Sequence, residues 1–183
     1  MSNLADTIQK NLQYPPLKKV DPNTQDIKHK FEETEVDKVG QAAIPAVLTG
    51  LFMLSRTDDG CLRIMNAGEA TNSLSVLFHE DEGQMIQRVA NYTGFTTNQA
   101  QSHLESIADE SIRVINEIAG GSCVKLKHYM NDQRHNILTC LPAALNMGDF
   151  LKDEHLDDKT NKMEGPVSNF MHKIENLLSQ GGR

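Results

Sequence analysis

From Glu82 to Ala119 the apolar positions fall at three- and four-residue steps in two successive runs, with a chemically specified turn between them. The first run, Met85, Ile86, Val89 and Ala90, stops at Gly94; Phe95 follows, and the Thr96-Thr97 pair can cap the next segment. In the second run Ala100, Leu104, Ile107, Ala108, Ile112, Ile115, Ile118 and Ala119 form one stripe, while Glu105, Asp109, Glu110, Arg113 and Glu117 take the opposite side. The spacing predicts two helices, each with a buried stripe and a wet face.

Helical periodicity continues on both sides of this unit. Leu4, Ile8 and Leu12 stack in a short amphipathic helix between Ser2 and Gln13, ended by Tyr14-Pro15-Pro16 because a proline disfavours helical backbone in the residue before it. This helix reads as an arm docked by a narrow stripe. Asp21-Pro22 has the form of an N-cap with proline at the first helical position, opening a helix with Ile27 and Phe31 on one side. From Val36 the apolar density rises through Val39, Ala42, Ala43, Ala46, Val47, Gly50, Leu51 and Leu54, the pattern of a central buried helix. Pro45 lies inside it and predicts a kink or a break, and the small residues around it would let a neighbour approach closely.

Thr57-Asp58-Asp59-Gly60 reads as a turn, followed by two short apolar segments of open type, Leu62 to Met65 and Leu74 to Phe78, separated by Gly68. Beyond Gly120-Gly121, Val124, Leu126, Tyr129 and Met130 predict a short helix. Asn131-Asp132 can cap another, carrying Ile137, Leu138, Leu141 and Leu145 with Pro142 in its interior. Asp149 to Gly165 is polar and mostly acidic; Val167, Phe170, Met171, Ile174, Leu177 and Leu178 then give a sharply amphipathic last helix. The expected fold is all-α: a compact multi-helix bundle with a helix-turn-helix-like unit and an amphipathic C-terminal helix. Its parts are a helical arm over 1–20, a core over 21–148, an acidic linker over 149–165 and the final helix over 166–183.

Composition narrows the class. Aromatic residues are only 5% of the 183, with no Trp and eight Met, so the core must be filled by aliphatic side chains and flexible thioethers, which favours helices over a sandwich. A net charge of −7 disfavours nucleic-acid phosphates and anionic lipid as partners. The three Cys (Cys61, Cys123, Cys140) lack CxxC spacing and are odd in number, which argues against a disulfide framework and for a reducing, cytoplasmic setting. No signal-type apolar stretch opens the chain. The longest apolar run, Ala42 to Leu54, falls short of the roughly 20 residues of a membrane span, so none is expected.

At Ile44-Pro45-Ala46-Val47-Leu48, then Asn72 to Phe78, then Val89-Ala90 with Gly94-Phe95-Thr96 and the long helix behind, the order of signals resembles the YidB-like bacterial proteins of unknown function. The resemblance spans roughly Gln25 to Ala119, and its most specific piece is the helix, Gly-apolar-Thr turn, helix unit. The chain departs from that family in lacking glycine-rich tracts and in extending well past Ala119. What the resemblance implies is an all-helical fold; it brings no activity or catalytic residues.

Candidate chemistry is sparse. Ala90, Gly94, Phe95 and Ala100 fit the scaffold of a DNA-binding helix-turn-helix. The surface that would read bases offers Asn98, Gln99, Gln101, Ser102 and Glu105, with no Lys or Arg before Arg113, and phosphate contacts supply most of the affinity of such proteins. His79-Glu80-Asp81-Glu82 contains metal-ligand types on adjacent positions that rarely converge, and His128, His135 and Cys140 lack zinc spacing. Nucleophile elbows, phosphate loops and dinucleotide fingerprints do not occur. The expectation is a non-catalytic protein-interaction or scaffold module without cofactor or metal, acting on itself as a homo-oligomer or on another protein. Its partner-binding candidates are Val167, Phe170, Met171, Ile174, Leu177 and Leu178. A helix-turn-helix DNA-binding protein and a cryptic enzyme or small-ligand binder are the alternatives.

Overall fold

The computed structural model describes residues 3–21, 27, 34–67 and 72–151, and all regular structure among them is helical. In chain order the helices are α1 (Leu4–Asn11), α2 (Glu35–Ser55), α3 (Asp58–Asn66), α4 (Ser73–Phe78), α5 (Glu82–Thr93), α6 (Thr97–Ala119), α7 (Cys123–Leu138) and α8 (Met147–Phe150). Single 3-10 turns cover His79–Asp81 and Ala143–Leu145.

The bundle is built around α2. Val39, Ala42, Ala43, Ile44, Ala46, Val47, Leu48 and Leu51 are all fully buried, and α1, α3, α4, α5, α6 and α7 each pack against this one helix. Its start is fixed by a reciprocal cap: the Asp37 N–H donates to Thr34 Oγ1 at 3.3 Å and the Thr34 N–H to Asp37 Oδ2 at 2.7 Å. Those bonds from Thr34 also hold the Asp37 carboxyl below the usual carboxylate range. The helix runs through Pro45 without the break that the sequence predicts; Thr49 Oγ1 donates to the Pro45 carbonyl at 2.7 Å. By length and composition Val36–Ser55 could cross a membrane, a longer element than the apolar run suggests, and 78% of its most apolar window is buried inside the bundle.

At two of the small residues on α2, Gly40 and Gly50, the space is taken by aromatic rings. A Cβ at Gly40 would stand 2.9 Å from Tyr14 Cδ1, and one at Gly50 would stand 2.7 Å from Phe78 Cε1. Helix α1 is less an arm than a piece of the core: Leu4 and Ile8 are fully buried, and the Leu4 N–H donates to Gln133 Oε1 on α7 at 2.9 Å. After α1, buried Gln41 takes the Lys18 N–H at 2.7 Å and donates to the Lys18 and Cys140 carbonyls at 3.1 and 2.8 Å, clamping two loops to α2. Of the helix expected from Asp21-Pro22, Ile27 is described and buried; Pro22 and Phe31 lie outside the described residues.

Three local expectations change. Thr57-Asp58-Asp59-Gly60 is the start of α3, with Thr57 as N-cap accepting the Gly60 N–H at 3.0 Å, and both short apolar segments are helices. The two helices expected after Gly121 are one, α7: Asn131 and Asp132 face water in its middle, where Asp132 meets His128 one turn away at 3.2 Å, so they cap nothing. Pro142 falls after that helix in extended backbone, with the Thr139 carbonyl accepting the Val20 N–H at 2.8 Å. The core also reaches past the expected linker boundary. Phe150 on α8 is buried edge-on against Phe78 at 5.8 Å between centroids, and Arg88 lies 5.2 Å over its ring.

Candidate interaction surface

The α5–α6 unit has the predicted construction. Gly94 ends α5 with φ 81°, a left-handed position suited to glycine, and Thr96 caps α6. The stripe of α6 is buried at Ala100, Leu104, Ile107, Ala108, Ile112, Ile115 and Ala119, with Ser111 and Val114 added; Ile118, assigned to the same stripe, is 41% exposed. Of the residues that could read bases, Gln99 is taken up by the cap, accepting the Thr96 N–H at 3.0 Å, and Gln101 donates to Glu105 at 2.8 Å. Asn98 and Ser102 remain on the surface. Arg113, the first cation along this helix, is held by Glu110 at 2.7 Å and Glu117 at 2.5 Å.

Those same charges line an open groove of about 750 Å³ between the end of α1, the start of α4 and the wet face of α6. The bond to Arg113 holds the Glu110 carboxyl below its ordinary range, and Asn11 Nδ2 donates to it at 2.6 Å. The groove wall is thus a closed ionic network, with Asp109 as a further carboxylate and Ser106 Oγ turned back to the Ser102 carbonyl at 2.9 Å. A nucleophile paired with a base is not assembled there.

A Tyr-His contact that periodicity does not announce lies two turns back along the same face of α6. Tyr14 Oη stands 2.6 Å from His103 Nδ1, and Phe95 stacks on the imidazole at 5.5 Å between centroids. Burial pushes the Tyr14 phenol up to about 12 and the His103 imidazole below its ordinary value. Both shifts favour the neutral forms, and the imidazole tautomer sets which of the two groups donates. A phenol that is harder to ionise is no nucleophile; the pair pins the chain after α1 to α6. The Tyr14-Pro15-Pro16 stop was the visible half of this contact.

The metal-ligand types diverge. Glu82 accepts from Ser75 Oγ at 2.5 Å, Asp81 from Gln84 Nε2 at 3.1 Å, and His79 Nδ1 faces Arg63 at 3.4 Å. His128 and His135 are exposed, whereas Cys140 is buried, with its thiol pushed up by desolvation. Among the described residues no three His, Cys, Asp or Glu side chains converge as a metal site. Val167, Phe170, Met171, Ile174, Leu177 and Leu178 lie outside the described residues.

One end of the bundle gathers what sequence reading did not. Gly120 and Gly121, at φ 54° and 78°, turn the chain from α6 into α7, and Ser122 caps α7 by accepting the Lys125 N–H at 3.4 Å. The first residue of α7, Cys123, is thereby joined to Cys61 on α3 in a disulfide with 5.7 Å between Cα atoms. The pairing runs against the reading that the cysteines form no disulfide framework and removes the basis on which they pointed to a reducing compartment; Cys140 stays free. Around it, Asn116 Nδ2 donates to the Ile64 carbonyl at 3.1 Å and Lys127 pairs with Asp58 at 2.5 Å, which lowers the Asp58 carboxyl. Flanking the bridge, Leu62 is 53% and Val124 78% exposed, and Ile118 stands in the last turn of α6. Three of the four exposed large apolar side chains among the described residues thus belong to the elements that meet at this end.

The class defined is an all-helical bundle with a charge-closed groove and one apolar end. Neither family models, nor characterised proteins, nor solved structures give a match to the chain.

Proposed function

We propose that this chain is a non-catalytic protein-interaction module that pairs with a second copy of itself through the α3–α6–α7 end. The observation that carries the proposal is the exposure of Leu62, Ile118 and Val124 on elements that also carry Asp59, at the start of α3, and Lys125, in the first turn of α7. Apolar side chains accompanied by one charge of each sign can match their own two-fold copy, Lys125 of each facing Asp59 of the other, while Asp58 and Lys127 stay paired within the chain. Membership of the YidB-like group belongs to the same proposal, on the strength of the helix, Gly94-Phe95-Thr96 turn, helix unit. So does a setting in water rather than in a membrane, which the net charge and the buried position of α2 support.

Sedimentation tests the pairing. The full chain should behave as a reversible dimer, and Val124→Glu or Leu62→Glu should render it monomeric with an unchanged helical circular-dichroism spectrum. A full chain that stays monomeric at every concentration would refute it. The C-terminal stripe Val167 to Leu178 is an independent candidate for the same role: if a cut at Gly165 makes a monomer while Val124→Glu leaves the dimer intact, the stripe holds the copies together and the α3–α6–α7 end does not.

A further inference from the structure

We propose that Cys61, Cys123 and Met65, once the Cys61–Cys123 bond is reduced, form a three-sulfur site for a soft monovalent metal ion, copper(I). The placement follows from the helices. Cys61 and Met65 are one turn apart on α3 and so share a face, and the Gly120-Gly121 reversal delivers Cys123 to that face as the first residue of α7. The Met65 Sδ lies 3.4 Å from Cys123 Sγ and 3.9 Å from Cys61 Sγ. Three sulfurs bound at about 2.3 Å around one ion in a plane stand about 4 Å from one another, so the thioether needs little movement. A Cα separation of 5.7 Å lets the two thiols open to the same spacing without moving either helix.

The donor set selects the ion. Two thiolates and a thioether are soft ligands, suited to copper(I), whereas zinc favours a fourth ligand and commonly imidazole or carboxylate. The Asp58 carboxylate at this end is engaged by Lys127. Cys61 is fully buried, while Cys123 and Met65 are partly exposed, so the site has a sheltered wall and an open approach. In the reaction a dithiol reductant gives two electrons and two protons to the Cys61–Cys123 bond and leaves as its own disulfide. Copper(I) then binds both sulfurs as thiolates, releasing the two protons to solvent.

The test is anaerobic titration of the reduced full chain with copper(I) against a chromophoric copper(I) chelator. One copper per chain should be withdrawn from the chelator, with sulfur-to-copper charge-transfer absorption in the ultraviolet; the oxidised chain should withdraw none. Met65→Leu keeps the volume and helix propensity of the site and should weaken binding by about tenfold or more, and Cys61→Ser should abolish it. A reduced chain that withdraws no copper, or a Met65→Leu chain with wild-type affinity, overturns the proposal. Zinc held as firmly as copper would overturn the choice of ion. Val124→Glu should bind copper as the parent does, which keeps this result separate from the pairing of two copies.

Discussion

Gly60 offers a perturbation whose sign separates local propensity from packing. It sits in the first turn of α3, where replacing glycine by alanine ordinarily gains about 1 kcal/mol of helix stability. Here the added Cβ would stand 2.0 Å from the Leu54 carbonyl oxygen and 2.8 Å from both the Leu54 carbonyl carbon and Thr57 Oγ1. Two of these three atoms are backbone at the end of α2, the helix around which the bundle is built, so no side chain can swing aside. Overpacking costs about 1–3 kcal/mol, and an approach of 2.0 Å to backbone puts this contact at the upper end, about 2–3 kcal/mol, above the propensity gain. Gly60→Ala should therefore lose about 1–2 kcal/mol, and at about 2–4 °C per kcal/mol for a chain of this size the melting temperature should fall by about 2–8 °C. Gly83, in the first turn of α5, is the control: a Cβ there meets nothing within 4 Å, and Gly83→Ala should gain about 0.4–1 kcal/mol. Urea denaturation of the three chains gives the comparison. A Gly60→Ala midpoint at or above the parent's would refute the close contact between the start of α3 and the end of α2.

Two further outcomes follow from burial. Ile107, fully buried on α6, should lose about 2–5 kcal/mol on change to Ala, whereas Asp109→Ala on the groove side should be nearly silent; equal urea midpoints would mean that the helix face is wrongly assigned. The Tyr14–His103 pair should give the stability a pH dependence on both sides of neutrality. Above pH 10 the unfolded chain releases its phenolic proton while native Tyr14 keeps it until about 12, so stability should fall as pH rises through that window, and Tyr14→Phe should flatten the fall. On the acid side, His103 in the unfolded chain takes up a proton near pH 6.5 that the native imidazole resists, so stability should fall again below that value. Denaturation midpoints measured across both ranges, with Tyr14→Phe and His103→Phe beside the parent, check the two signs; slopes unchanged in the variants would remove the assignment.

Where a helix is long and one-sided, its face was legible in the sequence: α2, α5, α6 and the inner stripe of α1 lie as their apolar spacing requires, and Gly94 and Thr96 do what their chemistry suggests. Ambiguity entered where one residue type serves two geometries. Thr57-Asp58-Asp59-Gly60 has the composition of a turn and equally that of a helix N-terminus. The outcome depends on the Leu54 carbonyl, which leaves room only for glycine at position 60. Asn131-Asp132 has the composition of a cap, but Leu126, Tyr129, Met130, Gln133 and Ile137 bury one continuous face across it, and that burial keeps the helix intact.

The apolar end was illegible for a different reason. Leu62, Ile118 and Val124 each sit beside helical stripes that predict burial, and a residue at the edge of a stripe is covered only if a neighbouring helix extends over it. Whether one does depends on how α6 ends. Gly120 and Gly121 reverse the chain and bring the start of α7 against α3, where Cys123 meets Cys61, with Ile118 and Val124 left exposed. The same reversal places Cys123 against Cys61 across 62 residues of sequence, a separation at which spacing rules have no purchase. One two-glycine turn therefore produces both the exposed side chains and the sulfur cluster. A single residue inserted directly after Cys123, in the first turn of α7, would turn Cys123 by about 100° relative to the buried face of that helix and carry it away from Cys61 and Met65.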